Sequence, residues 1–260
     1  MKKVFAAILS VLMLCGCFAG CGKKEATSDM GYIKEKGTMV VGMTEYAPMA
    51  FKDENGEWTG FDVELGRIVA EKLGVKIEFM VLPNWGQKFN ELNAKNIDVI
   101  WNGMTITDEV KANTSCTKPY LMNAQVVVMK KDKADQYKDQ ESLKTLKFAI
   151  ENGSAGQACL DDMGIKGYAA LKDQPAALLE VKAGTSDACV VDVGMANAMI
   201  KEGSDFADLA IAQTLTEEQF GIGFRKDSDM TEKVNALLAE LTEDGTMQKL
   251  ADKYGQTLAN

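Results

Sequence analysis

The chain has 260 residues, 46% of them hydrophobic, with 29 basic groups, 38 acidic groups and no histidine. A net charge of −9 argues against a nucleic-acid binder, which carries a basic face. Without histidine the commonest metal ligand and the commonest general base are missing, so no metal or other cofactor is expected.

The N-terminus comes first. Lys2 and Lys3 precede an apolar run from Val4 to Leu14, broken only by Ser10. The run is too short to cross a bilayer as a mature helix. Its positive start and small residues at the end mark a secretory signal peptide over residues 1–20. Loss of the two lysines leaves 27 basic against 38 acidic groups, a net −11. The run ends Leu14-Cys15-Gly16-Cys17-Phe18-Ala19-Gly20-Cys21, which resembles a bacterial lipobox. That resemblance implies a diacylglyceryl group on the cysteine and cleavage before it. Cys21 is preferred for its small Ala19-Gly20 pair; Cys17 is the alternative, with leucine at the third position before it. Residues 21–36 then read as a polar, flexible, lipidated tether.

The mature part has room for one large or two small domains. Thr38 to Met43 reads as a first strand, followed by the loop Glu45-Tyr46-Ala47-Pro48 and a turn over Asp53 to Glu57. Phe61, Leu65, Ile68, Val69 and Leu73 recur at helical spacing until Gly74 ends the helix. Val75 to Leu82 is a strand, Trp85 to Leu92 a helix and Ile97 to Trp101 a strand. This alternation predicts α/β architecture with a mainly parallel sheet. Thr107-Asp108-Glu109 reads as a capped helix start, and Gln125 to Met129 as a strand leaving the first unit. Charged residues 130 to 142 mark a surface transition.

A second unit of the same kind follows. Leu146 to Ile150 is a strand, and Gly153-Ser154-Ala155-Gly156 opens a helix through Leu160. Gln174 to Ala183 is a helix, Ala188 to Val191 a strand and Met195 to Ile200 a helix. Phe206 to Ala212 and Gln219 to Phe224 read as two more strands. Helices over Thr231 to Leu241 and Thr246 to Tyr254 close the chain. The arrangement predicts one lobe of residues 37–127 and 220–260, an inserted lobe of 128–219, and a two-strand hinge above a cleft.

Strand ends and helix starts supply the candidate ligand groups. Trp101, Asn102, Gly103 and Thr105 follow one strand, where glycine allows close backbone approach. The Gly153-Ser154 loop suits an anion or simply caps its helix. Asp192 ends an apolar strand and is able to meet a cationic amine or to cap the next helix. Tyr46, Trp85 and Trp101 are candidate walls. Cys159 and Cys189 either pair or remain buried thiols; with Cys116 the number is odd.

The blocks Gly60-Phe61-Asp62-Val63-Glu64-Leu65, Ile97-Asp98-Val99-Ile100, Gly103-Met104-Thr105-Ile106-Thr107, Lys118-Pro119-Tyr120 and Gly221-Ile222-Gly223-Phe224 come in an order that resembles solute-binding family 3, the polar amino-acid periplasmic-binding proteins. The resemblance implies a type II two-lobed fold. It also implies an extracytoplasmic, lipid-anchored and monomeric receptor that delivers a small polar solute to the permease subunits of an ABC importer. Carried over by position, Gly103 and Thr105 hold the ligand's polar ends, Ser154 donates to its carboxylate, Asp192 pairs with its ammonium and Tyr46 lines the pocket. One departure stands out. The family places a carboxylate-clamping arginine three residues after Thr107, and this chain has Val110, with Lys111 one step round the helix. Two other functions fit the scaffold. One is a lyase or dehydratase acting on a small carboxylic acid through Glu151, Asp192 or Glu45. The other is a surface sensor.

Overall fold

The structure, a computed structural model, describes residues 28–259. The expected signal peptide and both candidate lipobox cysteines lie outside the described residues. Residues expected to be tether instead form helix α1, Asp29–Lys36, with Ser28 capping Gly31 N and Gly37 closing it in the left-handed conformation. Met30 and Ile33 pack into the core. The Arg225 guanidinium holds Asp29 at 2.9 Å, and Asp229 accepts from Met30 N. Polar composition hid this helix, because only one stripe of it is apolar.

The first half alternates as expected. Strand β1, Thr38–Met43, leads through a small hairpin, β2 Phe51–Lys52 and β3 Trp58–Thr59, into α2, Phe61–Leu73, ended by left-handed Gly74. Strand β4, Lys76–Val81, runs parallel to β1. A 3₁₀ turn at Trp85–Gln87 continues into α3, Lys88–Asn93, and then β5, Val99–Thr105, which also pairs parallel to β1. β5 runs four residues past the expected end, so Asn102, Gly103 and Thr105 stand on the strand and not in a loop after it. Helix α4, Asp108–Asn113, starts at Thr107, whose hydroxyl accepts from Val110 N. β6, Ser115–Cys116, is a short edge piece.

Strand β7, Leu121–Lys130, leads into the second half through α5, Lys131–Ala134, and α6, Gln140–Leu143. There β8, Phe148–Glu151, α7, Ala155–Asp162, β9, Tyr168–Leu171, α8, Gln174–Ala183, β10, Ala188–Asp192, and α9, Val193–Met199, repeat the alternation. The last strand, β11, Leu209–Phe224, is one continuous element where two strands were expected. It pairs antiparallel with β7 along nearly its whole length, with bulges between Ile211 and Gln213 and between Thr214 and Thr216. Extra residues at those bulges keep the pairing while bending the strand. Helices α10, Met230–Glu243, and α11, Thr246–Tyr254, return to the first half.

The strand order is β4-β1-β5-β11-β7-β10-β8-β9. The two α/β lobes therefore join through β7 and β11, the strands in the middle of the order. One core runs through both halves, packing α2, α10 and α11 in the first and α8 and α9 in the second, and a separate cluster around Val127, Phe148 and Ile150 packs in the second half alone. The ends of β5, β8 and β10 meet over the junction, where an α/β fold places its ligands.

Candidate functional site: the cleft between the lobes

A cavity of about 460 Å³ lies between the lobes, within the range of small-molecule sites. Its floor is the joining ribbon. Asn123 and Gln125, two residues apart on β7, project from one face, and in the sheet register they lie opposite Glu218 of β11 and Asp192 of β10. Asp192 Oδ1 accepts from Asn123 Nδ2 at 2.5 Å and Gln125 Nε2 at 2.7 Å. Glu218 Oε1 accepts from the same two nitrogens at 2.6 and 2.7 Å, and from Thr105 Oγ1 at 2.6 Å. Gln174, the first residue of α8, donates to Asp192 Oδ2 and accepts from Asp192 N. Two carboxylates thus sit side by side on shared donors. Burial pushes Asp192 up to about 7, and the Glu218 charge adds to the shift. Asp192 makes no side-chain cap to α9, so its carboxylate is committed to the cleft.

Across the cavity, Thr44 binds the lobes together. Its N–H and Oγ1 donate to Asn102 Oδ1 at 2.6 and 3.2 Å, and Oγ1 reaches Glu151 Oε1 at 3.1 Å in the other lobe. Burial, with the charge of Asp192 adding to it, raises Glu151 to about 8. The Tyr46 hydroxyl and Asn102 Nδ2 are buried without hydrogen-bond partners, and both residues line the cavity. Unsatisfied buried polar atoms are rare in folded proteins, and these two are available to a ligand. Tyr46 stands edge-on to Phe220, 6.4 Å between ring centroids. Gly103 explains the fit: its φ is +55°, and a Cβ there would come within 2.5 Å of the Tyr46 ring.

The structure also places the other expected residues. Trp85 lines the cavity beside Tyr46, Asn102, Gly103, Thr105, Ser154 and Asp192. Trp101 does not line it: the side chain is 1% exposed in the core, where its indole donates to Asp62 Oδ1 at 3.1 Å. On a strand buried on both faces, aromatic identity alone does not separate wall from core. Asp62 also takes the Gly103 N–H at 2.6 Å and the Tyr120 hydroxyl at 2.7 Å, so the Gly103 N–H is not free for a ligand. Ser154 Oγ accepts from Gln157 N and keeps its own hydrogen to donate. Gly153 N–H is taken by Gln157 Oε1.

Val110 is buried with Leu82, Trp85, Ile97 and Met104. Lys111 points away, with its side chain 60% exposed and 3.6 Å from Asp108. It is no substitute clamp. Sequence reasoning missed the cation that does line the cavity, Lys88 at the start of α3. It also missed Glu218, which falls in the stretch between the two expected strands and carries no assigned role. Cys116, Cys159 and Cys189 are free thiols. Cys159 lines the cleft, and burial raises its thiol to about 11, so the thiolate form is disfavoured.

Two α/β lobes on a two-strand hinge, closed over a polar cavity, define a receptor for a small solute. The family description "Bacterial extracellular solute-binding proteins, family 3" matches residues 39–257, and the chain belongs to that family. It is 34% identical over 268 residues to the probable amino-acid-binding protein YxeM of Bacillus subtilis, covering 98% of this chain and 95% of the relative. Among solved structures, an ancestral arginine-binding protein bound to arginine is similar at TM-score 0.77 and 36% identity, covering 84% of this chain and 98% of that one. A substrate-binding protein of an ABC uptake transporter from Streptococcus pneumoniae, with bound histidine, is similar at TM-score 0.81 and 26% identity, covering 90% and 98%. The chain is the extracytoplasmic substrate-binding protein of an ABC importer for amino acids or related solutes. The lyase and sensor alternatives find no support among the relatives.

Proposed function

We propose that the cleft captures an amino acid or closely related small solute by its ammonium group, held between Asp192 and Glu218 with the Tyr46 hydroxyl beside them. The carrying observation is the carboxylate pair itself. Two acids, Asp192 buried and Glu218 half-buried, share the same amide donors. The charge of Glu218 disfavours ionisation of Asp192, and a cationic donor between them relieves this while gaining charge-assisted hydrogen bonds. The cavity lining holds seven carboxylates (Asp108, Glu109, Glu151, Asp162, Asp192, Glu217 and Glu218) against one lysine, which also favours a cation.

The ligands named for the relatives, arginine and histidine, both carry ammonium groups and support this reading. Residues 37–127 with 220–260 serve as one lobe and 128–219 as the inserted lobe. Cys21, or Cys17 in the other register, tethers the monomer by lipid beside its permease. A thermal-shift screen over amino acids and simple amines tests the ligand class, because a solute that binds only the folded chain raises its Tm by mass action. Response to acids lacking an amine, with none to ammonium compounds, would overturn it.

A further inference from the structure

We infer that Lys88 receives the anionic end of the solute, the role that a valine at position 110 cannot fill. This rests on the ammonium reading above and deepens it. Lys88 is 3% exposed and lines the cavity. Its ammonium has three N–H donors. Among the described residues it makes one hydrogen bond, to the Gly153 carbonyl oxygen at 2.9 Å, and no ion pair. The rings of Trp85 and Phe89 lie 5.1 and 4.6 Å from Nζ and screen it from water. The charges acting on it are those of Glu109 on α4 and Glu151 on β8. Neither lies in ion-pair contact, and burial keeps much of Glu151 protonated near neutrality. A buried cation with one neutral partner is costly. An incoming carboxylate removes that cost.

The surroundings favour an anion at the same place. Gly153, which Lys88 touches, leads into α7, whose first N–H groups have no intrahelical partner and whose dipole favours negative charge. The Ser154 hydroxyl hydrogen is unclaimed there. Asn102 Nδ2, buried and without a partner, adds a donor on the Thr44 side, where Thr44 ties Asn102 to Glu151. Lys88 belongs to one lobe and Gly153 to the other. The anion therefore completes a contact formed only when the lobes are closed. Carboxylate recognition in this chain is thus assigned to a compact, flexible ammonium in place of a rigid planar fork.

The test compares amino acids with their decarboxylated counterparts by isothermal titration calorimetry: L-histidine with histamine, and L-arginine with agmatine. For whichever pair binds the wild type, Lys88→Met should weaken the amino acid about tenfold to a hundredfold more than the amine, which shares only the loss of the Lys88–Gly153 contact. Lys88→Arg should keep amino-acid affinity within about tenfold of wild type, since it restores a fixed cation. An equal loss for amino acid and amine in Lys88→Met overturns the inference, because it marks Lys88 as a latch between the lobes and nothing more. No loss for either also overturns it. If Lys88→Met does not fold, Lys88→Gln carries the same comparison. If neither pair binds the wild type, the amino acid with the largest thermal shift and its decarboxylated amine carry the comparison; a response to acids lacking an amine and to no ammonium compound overturns the ammonium reading, and this inference with it.

Discussion

Gly153→Ala separates lobe closure from folding. Gly153 has a φ of +73°, and a Cβ there would lie 2.5 Å from Gly86 Cα and 3.1 Å from Gly86 N, both backbone atoms of the other lobe. Carbon atoms prefer about 3.5–4.0 Å, so the lobes must part by roughly 1 Å at this point. The left-handed conformation costs an alanine about 1–2 kcal/mol in open and closed forms alike, lowering Tm by about 2–8 °C for a chain of this size. The clash acts only on the closed form. It loosens the Lys88–Gly153 hydrogen bond and the Asn152–Asn84 bond, now 2.9 and 3.2 Å. Together these are worth about 2–4 kcal/mol, or roughly thirtyfold to several hundredfold in affinity. Calorimetry with the solute that gives the largest thermal shift measures the affinity, and small-angle scattering measures closure. A lower Tm with affinity within about threefold of wild type would refute the closed-state contact.

Asp192→Asn should weaken ammonium-bearing solutes by about tenfold to a hundredfold, read by the same calorimetry, while circular dichroism shows a native fold; unchanged affinity places the ammonium elsewhere. Stability should depend on pH in a defined direction. Asp192, Asp62 and Glu151 are raised to about 7, 7 and 8 in the folded chain, from ordinary values of 3.8, 3.8 and 4.5. The unfolded chain therefore releases these protons first as pH rises. Their stabilising contribution is complete below about pH 4 and is lost through about pH 8. Unliganded Tm should fall from about pH 5 to about pH 8, and a saturating ammonium solute should reduce that fall; a Tm that rises over this range contradicts the assignment. Palmitate labelling in the bacterium should reach the wild-type chain and be lost in Cys21→Ser. Label lost in Cys17→Ser but kept in Cys21→Ser moves the anchor to the other register.

Much of the fold was legible because local signals agreed with the tertiary result. Helix α8 was read to its ends, since Asp173 caps Ala176 N, Pro175 sits in the first turn and Gly184 closes it left-handed. Strand β10 stood out as an apolar run between two aspartates. What failed was decided by distant partners. β9 carries exposed Ala169 and Ala170 and is a strand because it pairs with β8 at the sheet edge. β11 crosses a polar stretch around Thr216, unassigned between two expected strands, and is held extended by β7. At the site, Asp192, Tyr46 and Ser154 announced themselves at element ends. Trp101 looked like a wall because a strand buried on both faces has no polar side to reveal direction. Lys88 went unremarked because nothing local shows that Trp85 and Phe89 enclose it and that the second lobe closes over it.

The most direct test of the account is calorimetric titration of the mature, tether-free chain with L-histidine, L-arginine and other ammonium-bearing solutes, beside acids lacking an amine. The account predicts one-to-one binding at micromolar or tighter affinity for at least one ammonium-bearing solute, weakened in Asp192→Asn. Binding confined to solutes without an ammonium group would contradict it.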